Sequence, residues 1–118
     1  MVKTCWDSKA YWLMTKAFLE IARDKVRAKK LYLSHHAQIE RGEEKIRVDD
    51  IEAAILNGQE LESYSDDPRG ASCLFVGQGL DLRWIHVLCG NFYGENLLII
   101  TVYLPSLPKW MDPFTRRL

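Results

Sequence analysis

The chain has 118 residues, 47% of them apolar and 27% charged, with sixteen basic and sixteen acidic side chains that cancel. That length suits one domain with a real core and no second one. A neutral whole excludes a protein that coats nucleic acid through net charge, and no apolar run approaches the roughly 18 residues of a membrane span. The N-terminal CWDSKAYWLM is too often interrupted by polar residues for a secretory signal, so the expected place is the cytoplasm. Cys5, Cys73 and Cys89 are odd in number and widely spaced, which fits neither a disulfide framework nor a zinc knuckle. Cys73 and Cys89 are expected as buried, inert thiols on strands.

The charges are unevenly placed. Residues 1–47 carry eleven Lys or Arg against six Asp or Glu, residues 48–67 seven acids and no base, and residues 68–118 five bases and three acids. A basic face and an acidic protein-binding surface both stay open on this pattern.

In chain order, Asp7 or Ser8 caps a first helix over about Lys9 to Lys29, with Tyr11, Met14, Phe18, Ile21 and Ala22 at helical spacing. Its end holds Arg23, Lys25, Arg27, Lys29 and Lys30, which read as a solvated terminus or as phosphate contacts. Leu31–Leu33 is a short strand or a lead-in. Ser34 caps a second helix that stops near Gly42 or a few residues later. Asp49 with Glu52 three residues on predicts the capping box of a third helix, ended by Gly58.

Beyond Gly58 the period changes to alternation, and residues 60–64, 71–77, 82–89 and 96–104 read as four strands joined by turns. Short connections predict an antiparallel meander. The expected fold is α+β: helices on one face of a four-stranded antiparallel sheet, five-stranded if Leu31–Leu33 joins. A last hairpin centred on Tyr93-Gly94 with a loop of two or four residues pairs His86 with Thr101 and Trp84 with Tyr103, all on one side. Pro105 and Pro108 stop the sheet before a tail over 111–118.

The succession SHHAQIERG, IRVDDIEAAILNGQELESY, DDPRGASCLFVG, RWIHVLCG and IITVYLP resembles the bacterial family called domain of unknown function 4258, over roughly residues 31–110. That family in turn looks like the RelE and BrnT group of toxin RNases in its helices-then-meander layout. The resemblance implies a RelE-like fold and a ribonuclease of a toxin–antitoxin pair, with RNA and an antitoxin-like protein as partners. Residues 1–30 depart from it as an added N-terminal helix, and the neutral charge departs from such RNases.

A metal-independent RNase needs a base, an acid and cations on the crowded phosphate. The candidates for acid and base are His86, His36 and Tyr103. The candidates for phosphate contact are Arg41, Arg69 and Arg116. Each has a plainer alternative. His36 is also a first-turn histidine bonding a neighbouring carbonyl, and Arg41 a surface partner of Glu40 or Glu44. His86 interrupts an apolar strand, where a core histidine satisfied by Thr101 or Tyr103 is the alternative to an acid or base in a cleft. Tyr103 is also a half-buried strand aromatic, Arg69 a turn residue and Arg116 part of a polar tail. His35, His36 and His86 lack carboxylates at ligand spacing, so no metal site is expected. No phosphate loop or dinucleotide fingerprint occurs, so no cofactor is expected. A non-catalytic protein-interaction module of the same fold is the reading from another class.

Overall fold

The computed structural model describes residues 17–117 apart from Arg69. The expected start of the first helix, Cys5, Trp6, Trp12 and Arg69 therefore lie outside the described residues. Helix α1 spans Phe18–Arg27 and buries Ala22 and Val26. It is followed by β1 (Leu31–Leu33), α2 (His35–Glu43) and α3 (Val48–Asn57). Four longer strands come next: β2 (Gln59–Tyr64), β3 (Ser72–Gln78), β4 (Trp84–Gly90) and β5 (Leu97–Tyr103). Two short strands end the chain, β6 (Trp110–Asp112) and β7 (Thr115–Arg116).

The main sheet has five strands in the order β1-β5-β4-β3-β2. β2 to β5 form the expected antiparallel meander. The sheet is nevertheless mixed, because β1 lies parallel to β5 with Leu31 beside Leu97. Short loops dictate antiparallel neighbours, but two helices and three strands separate β1 from β5, so no loop constrains their direction. A three-residue LYL carries no orientation signal of its own.

The three described helices cover one face. Phe75, Ile85, Val87, Cys89 and Ile99 from the sheet meet Ala37, Ile51, Ala54 and Ile55 from the helices in one buried core. Cys73 and Cys89 are opposed on β3 and β4, both fully buried and unbridged. Burial pushes both thiols up, as expected for inert sulfur.

Each helix is tied down by local chemistry. Ser34 caps α2: its Oγ accepts from the Ala37 N–H at 3.0 Å and donates to the Ile100 carbonyl at 2.8 Å, so the cap also fixes α2 to β5. The cap of α3 is Arg47, two residues before the expected Asp49. The box is closed by Asp50, whose carboxylate accepts the Arg47 N–H at 2.9 Å and the Leu80 N–H at 2.9 Å. The Glu52 expected in that role instead pairs with Lys29 at 3.1 Å. The basic end of α1 is taken up internally. Arg23 donates to the Ile55 and Gly58 carbonyls, Lys25 to those of Gly94 and Glu95, Lys30 reaches Glu95 and Arg27 reaches Asp24. The two Arg23 bonds complete the last turn of α3.

Helix α3 lies so close to β3 that a Cβ on Gly77 would sit 2.0 Å from the Ala54 carbonyl oxygen, and one on Gly58 would meet the same oxygen at 2.3 Å. Gly42, within α2, has no atom within 4 Å of such a Cβ. Gly77→Ala should therefore destabilise the fold by about 2–3 kcal/mol through forced separation of helix and sheet. Gly42→Ala should stabilise it by about 0.5–1 kcal/mol. Urea unfolding of the two variants checks the opposite signs.

Candidate functional site

The sheet face away from the helices is built by alternation: Leu74 and Val76 on β3, Trp84, His86 and Leu88 on β4, Thr101 and Tyr103 on β5. His86 stands opposite Tyr103, and Leu88 opposite Thr101. The expected pairing of His86 with Thr101 and Trp84 with Tyr103 is thus wrong by two residues. A bulge between Leu88 and Cys89 and a six-residue connection over 91–96 take up the difference. A slip of two preserves the side of each residue, and His86 and Tyr103 share the face as expected.

His86 is fully buried. Its Nε2 lies 2.6 Å from the Pro113 carbonyl oxygen and its Nδ1 3.0 Å from the Tyr103 hydroxyl. A carbonyl only accepts, so Nε2 carries the hydrogen, and Nδ1 accepts from Tyr103. The neutral ring is satisfied at both nitrogens. Trp110 stands edge-on to it, ring centres 4.4 Å apart. Burial holds His86 below the usual histidine range, while the Pro113 carbonyl and Glu62 pull the other way.

Beside this group, Arg116 donates through Nη2 to Glu62 at 2.8 Å and through Nε to the other carboxylate oxygen. The Tyr64 hydroxyl donates to the same carboxylate. The Arg116 guanidinium also lies 4.7 Å over the Trp110 ring. The hydrogen bond from Arg116 keeps Glu62 below the usual carboxylate range, and Glu62 in turn raises Arg116. Burial raises Tyr64 and Tyr103, with Glu62 adding to the shift at Tyr64.

Tyr64, Ser72, Thr101, Tyr103, Lys109 and Arg116 line one open cleft of about 650 Å³. It continues across the sheet into a more apolar trough floored by Leu88, Leu98 and Ile100, with Tyr93 at its side. Hydroxyls, the carboxylates of Asp66 and Asp67 and the cations Lys109 and Arg116 at the first cleft suit a polyhydroxylated ligand, or an anion held on the Lys109–Arg116 side.

The structure divides the candidate residues. Tyr103 and Arg116 border the same cleft, with His86 directly behind Tyr103. His36 is largely exposed on α2, where its Nε2 pairs with Glu40 at 3.2 Å. Glu40 accepts from the Thr101 hydroxyl and from the Val102 N–H at 3.0 Å, filling the edge of β5 beyond the end of β1. His36 thus reaches the cleft only at second hand, through Glu40 and Thr101. Arg41 pairs with neither Glu40 nor Glu44; it donates to Gln38 at 2.9 Å and to the Ile46 carbonyl at 3.3 Å, closing the end of α2. Among the described residues no group of three His, Cys, Asp or Glu stands as a metal site. No described helix is long and apolar enough to cross a membrane.

Glu62, Tyr64 and Lys109 were not picked out from the sequence, whereas Trp110, read from the sequence as a core or edge tryptophan or a base-stacking one, is buried. For the first pair a signal existed, since residues two apart on a strand share a face. Lys109 reaches the cleft, and Trp110 the His86 ring, because the tail folds back as the β6–β7 hairpin, and short WMD and TR segments carry no strand signal.

Fold and site together define a small α+β protein with helices on one sheet face and a polar cleft, partly covered by a C-terminal hairpin, on the other. The chain belongs to the family described as Domain of unknown function (DUF4258), whose model matches residues 33–104. No curated protein and no solved structure matches it.

The lowered His86 pKa fixes a sign. The unfolded chain takes up the proton first, so the contribution of His86 is complete above the ordinary value of about 6.5 and is lost as pH falls through it. Denaturant unfolding of the wild type should show stability dropping between pH 7.5 and 5.5, and His86→Gln should flatten that slope. Tyr103→Phe, which leaves Nδ1 buried without a donor, should cost about 1–3 kcal/mol at pH 7.5.

Proposed function

We propose that this protein is a toxin-type protein of RelE-like architecture that takes the backbone of single-stranded RNA into the cleft between Tyr103 and Arg116. The observation that carries the reading is the shared cleft: a phenol backed by an imidazole faces the same space as a guanidinium and the Lys109 ammonium. Arginine and lysine suit phosphate oxygens, the first by its fork and the second as a point charge. A net charge of zero confines attraction to this locality, so affinity depends on the cleft rather than on the whole surface.

In this reading His86 is a positioning residue, because it is sealed from solvent. Tyr103 gives its hydrogen bond to Nδ1 while its ring borders the cleft. When Tyr103 accepts a proton from a 2′-hydroxyl, its own proton passes to Nδ1, the 2′-oxygen bonds to phosphorus, and the P–O5′ bond breaks with the departing 5′-oxygen taking a proton from water. The resulting imidazolium donates to Tyr103 and to Pro113. Burial opposes that charge, and this favours a second reading: a non-catalytic interaction module, with the cleft and trough as the contact surface for an antitoxin-like protein.

Binding and cleavage of a labelled single-stranded RNA separate the two. The wild type should bind with an affinity that falls as salt rises, and Lys109→Gln should weaken binding several-fold. Tyr103→Phe should keep binding and abolish cleavage. Binding without cleavage in the wild type removes the catalytic role. Absence of binding at low salt, with normal growth on induced expression, removes RNA and leaves the interaction module.

A further inference from the structure

The β6–β7 hairpin is a separate two-stranded sheet. Its backbone hydrogen bonds close on its own segment: Trp110 N–H to the Ser106 carbonyl at 3.0 Å and Arg117 N–H to the Lys109 carbonyl at 2.9 Å. Among the described residues, no backbone–backbone hydrogen bond joins residues 106–117 to the five-stranded sheet. What holds the hairpin there is a short set of side-chain contacts. His86 Nε2 donates to the Pro113 carbonyl, Arg116 clasps Glu62, and Phe114 packs edge-on to Trp84 with ring centres 4.9 Å apart. Trp110 fills the space above His86.

This segment also lies past the family-matched region, which ends at Leu104. A family core that ends there would leave its sheet face open at His86. In this chain the hairpin closes it, and His86 becomes fully buried on the side opposite the helices.

We propose that residues 106–117 are a strap that lifts from the sheet as a unit, uncovering His86, Tyr103 and the cleft floor, with the His86–Pro113 hydrogen bond as its latch. The strap makes its own ladder, so lifting it breaks no β-ladder of the main sheet and leaves the helix-side core intact. The opening is local, of the kind that segments joined by few contacts undergo well below global unfolding. Because Lys109 and Arg116 belong to the strap, lifting it takes down one wall of the cleft, and this does not rest on the ligand being RNA.

Side-chain accessibility in the full chain tests it. Diethyl pyrocarbonate labels accessible imidazoles, with exposed His35 and His36 as internal references, while a thiol reagent reports the core through Cys73 and Cys89. Combining Arg116→Glu with Phe114→Ala removes two contacts of the strap and should raise the labelling rate of His86 about tenfold or more, with both core thiols still protected. In the wild type, native-state hydrogen exchange should show the Trp110 and Arg117 amides opening at least about tenfold more often than those of Phe75 and Val87. Co-exposure of His86 with the two thiols, loss of folding in the double variant, or equal exchange of strap and sheet amides would each overturn the proposal. Any of them makes the hairpin an integral layer of the core.

Discussion

A buried imidazole has two nitrogens, one a donor and one an acceptor when neutral, and leaving either without a partner costs about 1–3 kcal/mol. His86 meets that demand with two groups from different parts of the chain, the Tyr103 hydroxyl on the neighbouring strand and the Pro113 carbonyl on the tail. The arrangement of the open sheet face follows from this. Tyr103 must present its hydrogen inward, toward Nδ1, while it borders the cleft. The tail must bring its turn over β4, which carries Trp110 onto the ring and Arg116 into reach of Glu62. One tautomer thereby connects a strand, a hairpin and a cleft.

On the other face the governing constraint is steric. Helix α3 approaches β3 to a distance that only Gly58 and Gly77 allow. Gly58 has a negative φ, so it is required here by contact and not by backbone conformation. That close approach sets the helix layer, and α1 then seals it by giving Arg23 to the carbonyls at the end of α3.

The charge pattern is largely consumed inside the molecule. From the acidic stretch, Asp50 caps α3, Glu52 pairs with Lys29 and Glu62 holds Arg116. From the basic stretch, Lys25 and Arg23 bind carbonyls. Exposed pairs of this kind contribute little to stability, but they remove the broad basic or acidic surface that a linear reading of the charges suggests. At the cleft, Lys109 and Arg116 stand beside Asp66 and Asp67, so the charge there is local and mixed and not a face.

Amino-acid order alone determined the elements whose signals are local: the Ser34 cap, the stop at Gly58, four alternating strands and the succession of motifs that marks the family. It also placed His86 and Tyr103 on one side of the sheet, because alternation survives an even slip in register. Contacts distant in sequence decided the remainder. The direction of β1 depended on where helices carried it, the bulge at Leu88 shifted the hairpin pairing, and the start of α3 followed the carboxylate that could reach both Arg47 and Leu80. The cleft lay beyond local reading for the same reason. Glu62 and Arg116 are 54 residues apart, and no periodicity relates them; only the folding back of the tail over a buried histidine brings them together.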